Sequence, residues 1–73
     1  MNTAELTKEE LIVVEAHLRG EFEMWNATEE QRETLTRVIE RAKGLLEELD
    51  AYDEMGDNLI EWYYNKSKEV FNG

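Results

Sequence analysis

The chain has 73 residues with no cysteine and no proline, and its 18 acidic and 8 basic side chains give a formal net charge of −10. This length allows one domain. The lack of cysteine excludes disulfides, and a single histidine without any thiolate argues against a structural zinc site. Because a chain this short buries only about 60% of its unfolded surface, we expect well-packed helices, self-association, or both to stabilise it.

Charge and hydropathy exclude further classes of protein. A strongly negative chain without a basic stripe repels nucleic-acid phosphate. The longest wholly apolar run covers residues 11–14, whereas a membrane span needs about 20 such residues. Residues 1–10 contain no apolar segment of the kind found in signal peptides. We therefore expect a cytoplasmic protein that binds neither nucleic acid nor membrane directly.

The first predicted helix covers about residues 8–24. Thr7 and Glu10 have capping-box spacing, because the threonine hydroxyl can accept from the backbone N–H three residues on while the glutamate reaches back. Apolar residues then recur at steps of three and four, which is a helical stripe: Leu11, Val14, Leu18, Phe22 and Trp25.

A second capping box at Thr28 and Gln31 predicts a helix from about residue 29. The short connection before it, near residues 25–27, is typical of an antiparallel helical hairpin. The apolar positions of this helix follow a strict heptad alternation: Leu35, Val38, Ala42, Leu45, Leu49 and Tyr52.

The chain beyond residue 52 allows two interpretations. The heptad phase continues through Leu59, which would permit one helix from about residue 29 to 71. Alternatively, Gly56 ends the second helix near residue 55, and Asp57 caps a third helix over about 57–71. A continuous helix would be about 65 Å long, more than the first helix can cover, so we favour three helices. The predicted fold class is all-α: one domain over residues 1–73, built as a helical hairpin or three-helix bundle.

The C-terminal segment holds four of the seven aromatic residues. On a helix it would present two adjacent apolar faces, rotated by roughly 100° from each other, whereas a helix in a small bundle needs only one. We therefore predict a homo-oligomer, or contact with a second protein, through this helix, since aromatic side chains are enriched at such interfaces. The alternative is that these residues form only core. The predicted interface consists of Leu59, Ile60, Trp62, Tyr63, Tyr64, Val70 and Phe71.

Two acidic motifs suggest a different function. Residues 29–33 read E-E-x-x-E and residues 54–57 read E-x-x-D; carboxylates at this spacing share a helix face, and two such pairs on packed helices can hold Mg²⁺. This pattern, with Glu-Met-Gly-Asp-Asn-Leu over residues 54–59, resembles the MazG-type all-α nucleoside triphosphate pyrophosphatases. The resemblance implies a magnesium-dependent pyrophosphatase whose metal ligands would be Glu30, Glu33, Glu54 and Asp57. The helix dipole also explains acids in a first helical turn without any metal.

The sequence favours a non-enzymatic protein without a cofactor. His17 is the only histidine and Ser67 the only serine, which argues against a catalytic triad. The main hypothesis is a small acidic module for protein–protein interaction or assembly, and its short, motif-poor character resembles the small reading frames of phages and prophages. One alternative is an acidic DNA mimic that inhibits a nucleic-acid-binding protein through electrostatic steering. The other is the MazG-like pyrophosphatase.

Overall fold

The computed structural model describes the backbone of residues 6–72 and the side chains of residues 6–69, and all regular structure in this range is helical. The elements are α1 (Lys8–Leu18), a 3₁₀ turn (Met24–Asn26), α2 (Glu29–Leu49), α3 (Tyr52–Met55) and α4 (Leu59–Asn72). The longer helices α1, α2 and α4 each contact the other two, and the short α3 packs against α2 and α4. The predicted all-α class is confirmed.

Both predicted capping boxes are present and fix where α1 and α2 begin. The backbone N–H of Glu10 donates to the Thr7 hydroxyl at 3.2 Å, and the Thr7 N–H donates to the Glu10 carboxylate at 3.0 Å. Thr28 and Gln31 form the equivalent pair at 3.1 and 2.9 Å. These bonds satisfy N–H groups that have no acceptor within the helix itself.

Helix α1 ends at Leu18, well before the predicted end near residue 24. Gly20 follows with a φ of 82°, in the left-handed region that glycine adopts without steric cost. The Gly20 N–H donates to the His17 carbonyl and the Glu21 N–H donates to the Ala16 carbonyl, both at 3.0 Å. This is a Schellman motif, which terminates a helix by satisfying its last carbonyls.

The early end of α1 sends its last two predicted stripe residues in different directions. Phe22 returns to the core and is buried. Trp25 lies in the 3₁₀ turn between α1 and α2, and 81% of its surface is exposed. The apolar spacing that continued through both residues therefore did not reflect one continuous helical face.

Helix α2 follows its predicted heptad until Leu45, which is buried together with the preceding heptad positions. The helix ends at Leu49, and Asp50 adopts a left-handed φ of 50°. This reversal carries the chain away from the α2 axis, and Tyr52 leaves the buried stripe with it. Leu49, the last residue of α2, is also about half exposed. The short α3 and a further positive φ of 66° at Gly56 then separate α2 from α4. The structure thus contains separate helices in place of one helix over residues 29–71.

The residue that caps helix α4 lies one position after the predicted cap, Asp57. The Asn58 side-chain oxygen accepts from the Glu61 N–H at 3.0 Å, so Asn58 caps the helix and Asp57 does not. Asparagine and aspartate are equally good capping residues. Only the backbone path out of Gly56 decides which of the two side chains faces the free N–H groups.

The core lies where α1, α2 and α4 meet. Its largest fully buried side chains are Val14, Leu35, Val38 and Tyr63. A buried carboxylate, Glu10, sits beside them and accepts from the Arg41 guanidinium at 2.5 Å. The pair joins α1 to α2, with its carboxylate buried and its guanidinium partly exposed.

We expect the substitution Asp50→Gly to raise the free energy of unfolding by about 1 kcal/mol. Glycine removes the Cβ that makes a left-handed φ unfavourable, and the change also removes a carboxylate from the negative end of the α2 dipole. Urea denaturation followed by circular dichroism at 222 nm measures the effect.

The matched control is Asp53→Gly, which removes the same charge from within α3. There, glycine has no positive φ to relieve and weakens the helix, so stability should fall. If Asp50→Gly lowers stability as much as Asp53→Gly does, the left-handed conformation of Asp50 carries no steric cost.

Candidate functional site

One end of the bundle is strongly acidic. Between residues 47 and 61 the chain has seven carboxylates and no basic residue, and all seven side chains are exposed. They lie on the last turn of α2, on α3 and its flanking turns, and on the first turn of α4. We call this surface the acidic end; its carboxylates are Glu47, Glu48, Asp50, Asp53, Glu54, Asp57 and Glu61.

Several carboxylates of the acidic end lie at the C-terminus of α2, where the helix dipole disfavours negative charge. A helix C-terminus carries a partial negative charge, which cations stabilise and anions destabilise. The last turn of α2 has no basic residue, and Glu47, Glu48 and Asp50 lie in or directly after it. The local electrostatic energy is therefore unfavourable in the isolated protein, and a positively charged molecule bound there would relieve it.

Two apolar side chains are exposed within the acidic end. Leu49, the last residue of α2, is 51% exposed, and Tyr52, the first residue of α3, is 52% exposed. Only two other large apolar residues with described side chains are comparably exposed, Ile12 on α1 and Trp25 in the 3₁₀ turn. The acidic end thus combines negative charge with apolar area, which is the composition of a surface able to anchor a partner.

A groove of about 370 Å³ opens beside the acidic end, between α3 with its following turn and the outer face of α4. Its walls carry four carboxylates, two amides, one ammonium group, one thioether and one indole. The lining residues are Glu54, Met55, Asp57, Asn58, Glu61, Trp62, Asn65, Lys66 and Glu69.

Lys66 is the only cation in the groove wall. Its ammonium group lies 2.7 Å from the Glu54 carboxylate and 3.3 Å from the Glu69 carboxylate. The hydrogen bond that the ammonium group donates to the Glu54 carboxylate raises the pKa of Lys66 above its ordinary value, with a smaller contribution from the bond to Glu69. Lys66 therefore ties α3 to α4, and it leaves the carboxylates of Asp57 and Glu61 without an ion pair to any described residue.

The indole of Trp62 forms part of the groove wall and is only 6% exposed. Its Nε1–H group is buried and has no acceptor among the described residues. An indole N–H can only donate, and a buried donor without an acceptor costs about 1–3 kcal/mol. This side chain consequently has unsatisfied hydrogen-bonding capacity beside a negatively charged groove.

The predicted interface residues on α4 occupy three kinds of environment. Trp62 and Tyr63 are buried within the subunit's own core, so their area is already covered without a second chain. Leu59, Ile60 and Tyr64 are partly buried against that core; the Tyr64 hydroxyl also donates to the Glu15 carboxylate at 2.7 Å.

The remaining two predicted interface residues, Val70 and Phe71, lie outside the described side chains. Trp62 and Tyr63 need no second chain to cover them, and the participation of any of these residues in an interface stays a prediction. Self-association through α4 stays a prediction, and the area for it on described side chains is limited to the partly buried ones.

The four carboxylates of the MazG-like pattern are not brought together. Glu30 and Glu33 lie in the first turns of α2, whereas Glu54 and Asp57 follow its other end, and a helix of 21 residues is about 30 Å long. Within residues 6–69 no group of three or more acidic, histidine or cysteine side chains is arranged to hold a metal ion. The arrangement therefore does not support the magnesium-site hypothesis, because the two motifs lie at opposite ends of one helix and not on facing helices.

Comparisons of the chain with protein families, with curated proteins and with solved structures give no match. The motif resemblance to MazG-type enzymes thus has no family match behind it. Among the described helices, none is both long enough and apolar enough to cross a membrane.

Proposed function

We propose that this protein is a non-catalytic interaction module that binds another protein through its acidic end. The observation that carries the proposal is the exposure of Leu49 and Tyr52 among seven carboxylates in a stretch without any basic residue. Of the four large apolar residues exposed in the described part of the chain, these two are three positions apart and lie within the acidic run over residues 47–61.

The two components have different roles in such binding. The carboxylates steer a basic partner toward this end and fix its orientation, since complementary charge mainly sets association rate and specificity. Leu49 and Tyr52 supply apolar area, and tyrosine in particular is frequent among the residues that dominate binding energy. The partner is therefore expected to present a basic surface that surrounds an apolar site.

We expect the double substitution Leu49→Ser and Tyr52→Ser to abolish capture of the partner when tagged protein is incubated with host lysate. The matched control is Ile12→Ser with Trp25→Ser, which removes comparable exposed apolar area away from the acidic end. Both residues of each pair are at least half exposed, so neither double variant should unfold. The captured proteins are compared by quantitative mass spectrometry, and only those lost in the first variant and retained in the control count as partners.

Salt provides a second measurement on the same partner. The Debye length falls from about 10 Å at 0.1 M salt to about 3 Å at 1 M, so capture should weaken strongly as salt rises. Equal capture by both double variants would contradict the proposal. Displacement of the captured protein by duplex DNA, together with indifference to the Leu49 and Tyr52 substitutions, would instead favour the acidic DNA-mimic alternative.

A further inference from the structure

We propose that the groove beside Trp62 receives an arginine-bearing peptide segment of the partner, with a guanidinium group on the rim carboxylates and a main-chain carbonyl on the Trp62 indole N–H. The inference rests on the proposed function and specifies the chemistry of the partner. It is carried by two independent observations, the charge of the groove wall and the unpartnered, buried N–H of Trp62, whose indole forms part of that wall.

The charge of the wall selects a cation. Four carboxylates face one ammonium group, and Lys66 is already shared between Glu54 and Glu69. Asp57 and Glu61 have no described cationic partner, and both are exposed. Planar guanidinium groups can bind a carboxylate through two parallel hydrogen bonds, so an arginine side chain is better suited to these two rim carboxylates than an ammonium group is.

The indole selects an acceptor next to that cation. Trp62 can only donate, so a purely cationic ligand leaves its N–H unsatisfied, and a purely anionic ligand meets the repulsion of the rim. A peptide that contains arginine offers both groups a few ångströms apart, a positive side chain and neutral carbonyl oxygens. The groove volume of about 370 Å³ is within the range of about 300–1,000 Å³ that is common for ligand sites.

The indole N–H has almost no exposed surface in the unbound protein. Access for a carbonyl therefore requires a small movement of the groove wall. Met55 forms part of that wall and is only partly buried, and an unbranched thioether side chain can change rotamer at low cost. The site is thus closed to bulk water in the free protein but adjacent to a side chain that can make room.

The two tryptophans make a direct test possible by nuclear magnetic resonance. In ¹⁵N-labelled protein each indole N–H gives one signal, and the substitution Trp25→Phe identifies which signal belongs to Trp62. The ligand probe is a blocked pentapeptide with two arginines, titrated at low salt. We expect the Trp62 indole proton to shift downfield and to saturate, because it gains a hydrogen bond, while the exposed Trp25 signal in the wild type stays in place.

Two further probes separate the contributions of cation and acceptor. Spermidine provides positive charge without a carbonyl, and inorganic phosphate provides acceptor oxygens without positive charge. Neither should produce the downfield shift of Trp62. A shift of equal size with spermidine would overturn the proposal, because it would show a response to charge alone, and a shift with phosphate would overturn it in favour of an anion site.

Surface substitutions locate the cation. The double variant Asp57→Asn with Glu61→Gln should weaken peptide binding about tenfold or more, as the loss of charge-assisted hydrogen bonds implies. Its matched control, Glu47→Gln with Glu48→Gln, removes the same charge from the acidic end outside the groove and should change the affinity less than threefold. Equal weakening by the two variants would overturn the groove as the site.

Rejection of the arginine groove and rejection of the proposed function would give different results in these experiments. If the Leu49 and Tyr52 substitutions abolish capture of a partner but the pentapeptide leaves the Trp62 signal unmoved, the interaction module stands and the arginine groove is rejected. If the pentapeptide shifts the Trp62 signal but the Leu49 and Tyr52 substitutions leave capture of the partner unchanged, the groove stands as a peptide site and the proposed contact surface is rejected.

Discussion

Replacing Tyr63 by alanine is expected to lower the free energy of unfolding by about 3–5 kcal/mol, the range for truncating a large buried side chain. Tyr63 is the largest fully buried side chain in the described structure and lies on α4 against the shared core. Native domains have about 5–15 kcal/mol of stability in total, and a chain of this size lies toward the low end. The variant should therefore be largely or completely unfolded well below the midpoint temperature of the wild type.

Two further variants serve as controls for the replacement of Tyr63 by alanine. Tyr52→Ala removes the same side chain from a half-exposed position and should change stability by less than about 0.5 kcal/mol. Tyr63→Phe keeps the ring and removes only the hydroxyl, for which we expect a loss of about 1 kcal/mol. Urea denaturation of the three variants ranks them, and equal midpoints for the two alanine variants would mean that α4 does not pack on the core as described.

Replacing Glu10 by glutamine is expected to cost about 2–3 kcal/mol at neutral pH. Glutamine keeps the capping-box bond to Thr7, so the loss reports mainly on the charge that Glu10 presents to Arg41 at 2.5 Å. Hydrogen bonds between charged groups contribute more than neutral ones, and glutamine keeps the shape of the side chain but not the charge that faces Arg41. Thermal and urea unfolding of both proteins measures the difference.

The effect of Glu10 should depend on pH in a defined direction. Burial raises the pKa of this carboxyl, but hydrogen bonds from Arg41 and from the Thr7 N–H outweigh burial and hold the pKa below its ordinary value of 4.5. The stabilisation is therefore fully present above that ordinary value and is lost as the pH falls through the lower pKa of the folded state. The difference in stability between wild type and the Glu10→Gln variant should be largest near neutral pH and should shrink in acid.

The control for Glu10 is the adjacent Glu9, which is exposed in the same first turn of α1. Glu9→Gln changes the net charge and the helix-dipole interaction as Glu10→Gln does, but Glu9 has no ion pair with a described residue. This substitution should therefore lower the free energy of unfolding by no more than about 0.5 kcal/mol. A difference between wild type and Glu10→Gln that stays constant from neutral pH into acid would show that the Arg41 pair does not carry the effect.

Local signals in the sequence predicted the beginnings of helices well and their ends poorly. Thr7 and Thr28 mark the starts of α1 and α2 in the sequence, because a capping box is formed by two residues that are only three positions apart. Gly20 is a comparable local signal for the end of α1, but the predicted boundary followed the apolar spacing through Trp25 and did not take the glycine into account. The spacing of apolar residues alone does not distinguish one continuous helix from a shorter helix followed by a turn, because the turn can also return an apolar residue to the core.

The candidate site was only partly visible in the sequence. The acidic run over residues 47–61 could be read directly, but dividing the chain at residue 56 split it between two segments and hid its extent. The heptad made Leu49 and Tyr52 resemble core positions, although both are about half exposed on either side of the reversal at Asp50. The unpartnered N–H of Trp62 has no signature in sequence, because it depends on which acceptors the fold places within reach.

The sequence by itself determined the helical class, the starts of α1 and α2 and the buried stripe of α2 as far as Leu45, since these follow from contacts between residues three and four apart. Only the tertiary structure decided which α4 aromatics are covered, because that depends on packing between residues far apart in the chain. Tyr63 meets α1 and α2 and is buried, and the same packing closes Trp62 without giving its N–H an acceptor. The proposed binding chemistry of this protein depends on that second group of contacts.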